Sequence, residues 1–314
     1  MPGGPRPKPR VLAALILACV VSVASATDAA NVAVIVSADV DAYREALKGF
    51  RASLRHRIAA QYDMEGDFDR GRKILGEIQS KTRPDLIFVV GLWALQLVVS
   101  QGTSVPVVYA MILNPPSVVG SDAKNITGAS INVPVDDTIR LFKQLGPRVR
   151  RIGVIFDPAK TGYLVTQAEA VTREEGLKLI AKETRSPRES IPALEALQEE
   201  GIDALWILPD ESNVAPAVVQ QMLLTSFRKR IPVVGLSPSQ AEMGAVLAVS
   251  FASSEDIGRQ AAELANGILA SQTPTQLPYT TARRLDVTVN LKAAQKLGMD
   301  IPKTILGMAT TVIR

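Results

Sequence analysis

The chain has 314 residues, 47% of them hydrophobic and 21% charged, a globular mixture long enough for two domains on the usual scale of roughly 100–200 residues each. Three of its four net positive charges are Arg6, Lys8 and Arg10, in a 26-residue opening stretch without acids, so the remainder stands at +1 and has no long block of one sign. That balance argues against nucleic acid or an anionic membrane surface as partner, and a single cysteine, Cys19, excludes disulfides and cysteine-rich metal sites from the folded part.

Residues 1–26 read as a secretory leader. A basic, proline-punctuated start precedes an apolar run over 11–23, and Ala24-Ser25-Ala26 supplies the small residues a signal peptidase accepts. The run is shorter than the roughly 20 residues a spanning helix needs. Cleavage after Ala26 is the preferred reading. Ile16-Leu17-Ala18-Cys19 also resembles a lipobox, which would anchor the chain through a lipidated Cys19; an uncleaved anchor is the third option.

From Asn31 onward, short apolar runs alternate with helix-period segments. Strands are expected at 32–36, 58–62, 85–91 and 106–111, with helices at 41–57, 67–81 and 93–101 between them. Residues 113–134, rich in Pro, Gly, Ser and Asn, show no strong period. A helix over 135–145 precedes a second series, with strands at 151–156, 177–182, 204–208 and 232–236 and helices at 162–175, 191–200 and 215–230. Another strand (246–251), a helix (254–270), a strand (285–290) and a last short helix follow. The alternation predicts α/β architecture, with parallel strands joined by right-handed crossovers and helices on both faces. Two lobes are expected. Lobe 1 spans 31–146 and is completed by about 248–280; lobe 2 spans 147–247 and is completed by 281–314.

Open parallel sheets bind ligands beyond the carboxyl ends of their strands, where helix N-termini begin. The loops at those ends carry Ser37, Tyr43, Trp93, Asn114, Asp157, Tyr163, Asp210, Ser212 and Asn213, a set of hydroxyls, amides, acids and rings suited to holding a small polar molecule. Catalytic patterns are missing. There is no G-x-S-x-G elbow, no P-loop and no G-x-G-x-x-G after the first strand. His56 is the single histidine and is placed on the first helix, and no cluster suits zinc. No cofactor or metal is expected. Trp206, placed mid-strand, reads as core.

Several segments together resemble a known family. They are Tyr43-Arg44-Glu45-Ala46-Leu47-Lys48-Gly49-Phe50, Arg83-Pro84-Asp85-Leu86-Ile87, Val105-Pro106-Val107-Val108, Asn125-Ile126-Thr127-Gly128, Arg151-Ile152-Gly153-Val154 and Val289-Asn290-Leu291-Lys292-Ala293-Ala294. In this order they are similar to the periplasmic substrate-binding proteins of ABC transporters whose members include tryptophan and tyrosine binders. The resemblance implies a type I periplasmic-binding fold, two Rossmann-like lobes with the ligand between them. Two positions depart from the family pattern. Gly91-Leu92-Trp93-Ala94 stands where the family has Gly-Thr before a small residue, and Asn114-Pro115 where it often has Asp-Pro, which removes a charge that could face an ammonium group. Asp157-Pro158 and Pro209-Asp210-Glu211-Ser212-Asn213 match better.

The expectation is a non-enzymatic, monomeric receptor outside the cytoplasm that captures an amino acid or similar solute and docks on a membrane permease. Asp210 is expected to meet the ligand's ammonium group. The alternatives are a sensing module for a membrane signalling partner and an exported hydrolase using Asp157 and Asp210.

Overall fold

The computed structural model describes residues 1, 3, 4, 29–120 and 123–314. The side chains of Glu211 and Ser212, and the expected leader around Cys19, lie outside the described residues. No helix among those described is long and apolar enough to cross a membrane.

The first lobe runs through β1 (Asn31–Val36), α1 (Asp41–Ser53), β2 (Arg57–Asp63), α2 (Phe68–Glu77), β3 (Leu86–Val90), α3 (Leu92–Gln101), β4 (Val107–Ile112), the short α4 (Pro116–Val119) and β5 (Ile126–Ser130). Its five strands are parallel, in the order β2-β1-β3-β4-β5. β3 and β4 are buried at every position because helices cover both faces, which is why they read as unbroken apolar runs. Ala46, Leu47 and Phe50 of α1 pack on one face, where Phe50 stacks on Phe88; Ile74, Leu75, Leu95 and Val98 pack on the other. His56 lies in the turn before β2, not on α1.

β5 falls inside the stretch expected to be irregular. Its sequence, ITGAS, carries little apolar signal because it is an edge strand folded tightly over Tyr109. A side chain at Gly128 would come within 2.4 Å of the Tyr109 ring, so only glycine fits. The outer edge of β5 is sealed by Thr280, which bonds Gly128 and Ser130 through its backbone.

The second lobe contains α5 (Val135–Gln144), β6 (Arg151–Phe156), α6 (Pro158–Glu174), β7 (Lys178–Glu183), α7 (Pro187–Glu199), β8 (Ala204–Trp206), α8 (Glu211–Val214), α9 (Pro216–Lys229), β9 (Val233–Gly235), α10 (Pro238–Met243) and β10 (Leu247–Phe251). The chain then sends α11 (Ser254–Leu269) back to lobe 1 and returns to lobe 2 with β11 (Leu285–Asn290), α12 (Leu291–Leu297), α13 (Lys303–Met308) and β12 (Thr311–Ile313). The second sheet has the order β12-β11-β10-β9-β8-β6-β7. It is mostly parallel, but β11 runs antiparallel to β10. The crossover segment that leads into β11 lies beside the exit of β10, with Ala252 N–H bonded to the Arg284 carbonyl at 2.8 Å, so the returning strand must run the opposite way.

The lobe limits differ from the sequence reading at two points. Ile139, Leu141 and Phe142 of α5 pack with Ile152, Val154 and Leu164 in the second core, so lobe 1 closes near residue 130 and not 146. β10 belongs to the second sheet, so the return to lobe 1 starts after 251 and not at 248. An amphipathic helix shows that it has an apolar face but not which core that face meets.

Three segments, 131–134, 252–253 and 281–284, cross between the lobes. They are laced by the Ala282 N–H to Asn132 carbonyl bond at 2.9 Å and by the Ala252–Arg284 bond. Directly after the second crossover, α11 lies against α1 backbone to backbone. A side chain at Gly258 would sit 1.8 Å from the Ala46 carbonyl oxygen, and one at Gly49 1.9 Å from that of Glu255. These two glycines permit an approach that any larger residue forbids.

Candidate functional site

The carboxyl ends of the two sheets meet across a cleft. Leu92, Leu113 and Asn114 follow β3 and β4 of lobe 1; Lys160, Pro209 and Asp210 follow β6 and β8 of lobe 2, and all six line one open space of about 500 Å³. Deeper, beside the crossovers, lies a cavity of about 300 Å³. Its walls include Leu113, Ile131, Val133, Trp206, Leu236 and Phe251, and its polar groups are Asn132, Thr138, Ser237 and Ser250. Leu113 and Pro209 border both spaces, so the inner cavity opens toward the outer cleft across them.

The polar residues expected to touch ligand lie around this cleft, but most are already engaged. Ser37 is buried; its hydroxyl donates to the Val90 carbonyl and accepts from the Ala94 N–H, both at 2.9 Å, tying β1 to the start of α3. Tyr43 packs over Gly91, and its hydroxyl accepts from the Leu92 N–H. Burial raises its pKa, and that hydrogen bond opposes the rise. Trp93 leans over Gly66 and Phe68 on the outer face of lobe 1, 44% exposed and outside both spaces.

Asp157 caps α6, accepting from the Ala159 N–H at 2.9 Å. Asp210 caps α8 and is buried. Its Oδ1 accepts from the Asn213 N–H; its Oδ2 accepts from Thr161 Oγ1, from Asn213 Nδ2 and, at 3.3 Å, from the Asp157 N–H. Three of these donors crowd Oδ2, whereas Oδ1 takes one and keeps acceptor capacity among the described residues. This carboxylate holds the β6–α6 and β8–α8 loops together, and it also borders the outer cleft, where it was expected to meet an ammonium group. Asn213 completes that hub by donating to the Ile155 carbonyl at 2.6 Å, while its own Oδ1 has no partner among the described residues. The side chain of Ser212 lies outside the described residues.

A second group of bonds joins the lobes. Asn114, at φ +56°, donates from Nδ2 to the Lys160 carbonyl at 2.7 Å, and its N–H donates to Asn132 Oδ1 at 2.8 Å. Asn132 Nδ2 donates to Tyr163 Oη at 2.9 Å, and the Tyr163 and Tyr279 phenols lie near enough to influence each other's pKa. Burial pushes the Tyr163 phenol well above its ordinary pKa, with Tyr279 adding to the shift and the Asn132 bond opposing it. Tyr163 is thus a strut between the lobes. Asn114 Oδ1 is buried without a partner among the described residues.

The residues that wall the inner cavity include several the sequence reading passed over. Trp206 was read as mid-strand core. β8 ends at Trp206, so the indole meets Phe142 edge-on at 6.4 Å and also lines the cavity. Leu113 and Asn132 fall in the stretch without periodicity. An apolar residue next to a strand end, 45% exposed in the case of Leu113, was the available signal.

The geometry is that of a receptor. It has an apolar recess with few polar groups, a hinge of three crossovers and a cleft between two lobes. Among known proteins, the family model described as ABC transporter substrate binding protein matches residues 31–313. A tyrosine-binding protein of Clostridioides difficile (strain R20291) is 24% identical over 280 residues, 83% of this chain and 80% of that protein. The ABC domain in complex with L-Trp from Streptococcus pneumonia is 21% identical with a TM-score of 0.60, covering 91% of this chain and all of that one. A ligand-free, open substrate binding protein with adhesive properties from Clostridium difficile is 19% identical with a TM-score of 0.67, covering 91% of this chain and 99% of that one. These two structures establish the periplasmic-binding fold. With the match extending from β1 through β12, the chain belongs to the ABC transporter substrate-binding protein family, whose members bind and do not catalyse.

Proposed function

We propose that this chain is the extracytoplasmic solute receptor of an ABC importer, and that its ligand is an amino acid or a closely similar small molecule bearing an apolar ring. The observation that carries this reading is the inner cavity. At about 300 Å³ it stands at the small end of the usual ligand-pocket range of roughly 300–1,000 Å³, sized for one ring system and not for an oligosaccharide. Trp206 and Phe251 offer aromatic surface, while Asn132, Ser237 and Ser250 supply a few orienting hydrogen bonds. The tyrosine-binding relative and the L-Trp complex support the ring-bearing class.

Capture follows from the placement of the walls. Most of the cavity belongs to lobe 2 and the crossovers, so the ligand first settles there. Leu113 of lobe 1 then closes over it by hinge motion, and the closed form presents joined lobe surfaces to a membrane permease. A thermal-shift comparison tests the ligand class. Ring-bearing acids and amino acids are expected to raise Tm, by about 2.7 kcal/mol of stabilisation at a hundredfold excess over Kd. Disaccharides and short aliphatic acids are expected to leave it unmoved. Stabilisation by sugars and none by ring compounds would overturn the reading.

A further inference from the structure

The outer cleft is bridged as well as lined. Asn114 follows β4 of lobe 1, while Lys160 and Tyr163 stand about one turn apart near the start of α6 in lobe 2. One path crosses directly, from Asn114 Nδ2 to the Lys160 carbonyl at 2.7 Å. A second runs through the first crossover. The Asn114 N–H donates to Asn132 Oδ1 at 2.8 Å, and Asn132 Nδ2 donates to Tyr163 Oη at 2.9 Å. The start of α6 is thus held at two points by one pair of asparagines. Both are 4% exposed, so water does not readily replace a bond that breaks there. The backbone at Asn114 is bent for the task. Its φ of +56° is a left-handed turn that asparagine tolerates, and the Ser117 hydroxyl and N–H both donate to its carbonyl, at 2.8 and 3.1 Å. Leu113, the residue before it, borders both the inner cavity and the outer cleft, so the bridge also seats Leu113 between them.

We infer that Asn114 is a positioning residue for capture: with Asn132 it latches lobe 1 onto α6 and holds the cleft mouth shut with or without a ligand inside. Its amide serves the other lobe. Nδ2 is committed to the Lys160 carbonyl, and Oδ1 is buried away from the open space. One neutral hydrogen bond shifts the ratio of closed to open forms by about two- to tenfold. Because the latch acts on the empty and the filled receptor alike, it sets how often the mouth opens more than it sets affinity. Entry and release are both slowed by the same closed population. The inference rests on the proposed function only in that the ligand enters between the lobes.

Asn114→Gly keeps the left-handed turn and deletes the amide. Small-angle X-ray scattering of the whole chain without ligand is expected to match the closed structure in the parent and to shift to a larger radius of gyration in the variant. Stopped-flow binding of L-phenylalanine, read through the indole of Trp206 in the cavity wall, is expected to show association and release both faster by about two- to tenfold, with Kd changed by less than about threefold. A lost ligand contact would instead speed release alone and raise Kd. Tyr163→Phe cuts the second path and leaves Asn114 in place. It is expected to move both readings in the same direction, and it carries the test if Asn114→Gly does not fold. Scattering that neither variant changes, or release that quickens while association does not, overturns the latch. The scattering needs no ligand, so it decides the matter even if L-phenylalanine gives no signal, a silence that would count only against the ring-bearing ligand class.

Discussion

The tips of β6 and β8 and the walls of the inner cavity are neighbours in lobe 2, yet they use polar groups in opposite ways. At the tips, Asp157, Thr161, Asp210 and Asn213 bond one another and the backbone, with three donors on Asp210 Oδ2 and one on Oδ1. In the cavity, a few amides and hydroxyls sit among Leu113, Trp206, Leu236 and Phe251. On the function proposed above, the polar-rich region serves mainly as structure and the polar-poor region as recognition. What marks a ligand contact is hydrogen-bonding or apolar capacity left unused, not the density of polar residues.

The contrast can be broken most severely at Asp210. Removing its carboxylate leaves several buried donors unpaired, so Asp210→Ala is expected to lower unfolding stability by about 3–5 kcal/mol in urea titrations. A loss below about 1 kcal/mol, with ligand binding abolished, would reverse the roles assigned to the two regions. Leu113→Ala should do the opposite. Its side chain is largely exposed without ligand, so stability should change by no more than about 0.5 kcal/mol. Ligand affinity measured by calorimetry should fall by about tenfold, because the closing wall is lost.

The smallest effect is expected at the strut. Burial raises the Tyr163 pKa, and that of the adjoining Tyr279. A phenol whose folded pKa lies above its unfolded value near 10 contributes stability that is fully present below about pH 10 and lost as pH rises through the folded value. Tyr163→Phe should therefore cost about 1 kcal/mol near neutral pH, from the lost Asn132 bond, and should flatten the decline in stability above about pH 10. Urea unfolding of both proteins across that range reads the difference. Parallel declines would show that the phenol does not titrate with folding.

Much of the fold can be read from residue pattern alone. Runs such as Val32 to Val36 and Leu86 to Val90 are β-branched or apolar at every position because they are covered on both faces. β5 escapes that logic, since an edge strand that must carry Gly128 beneath Tyr109 has no room for a typical strand sequence. β12 is missed for a similar reason, being three residues at the rim of the second sheet. For the candidate site, sequence marks the loops that border the cleft, because strand ends and helix starts are legible. It does not show that Asp210 faces Thr161 and the Asp157 N–H, since hydrogen-bond pairing across residues about fifty apart depends on the folded backbone. Trp206 illustrates the same limit: whether an indole at the end of a short strand is core or cavity wall depends on where the strand stops, and it stops at that residue.

The glycine-mediated meeting of α1 and α11 sets an order in time. Its two halves lie about two hundred residues apart, so in a chain emerging from its N-terminus the side of α1 that meets α11 stays open until the helix after residue 253 arrives. The other half of the molecule waits longer, for β11 and β12. Such distant pairings are slow to form, and neither globule can be finished during synthesis of the first 250 residues or so. Each globule thus takes its last element from the final fifth or so of the chain, which couples the completion of one to that of the other.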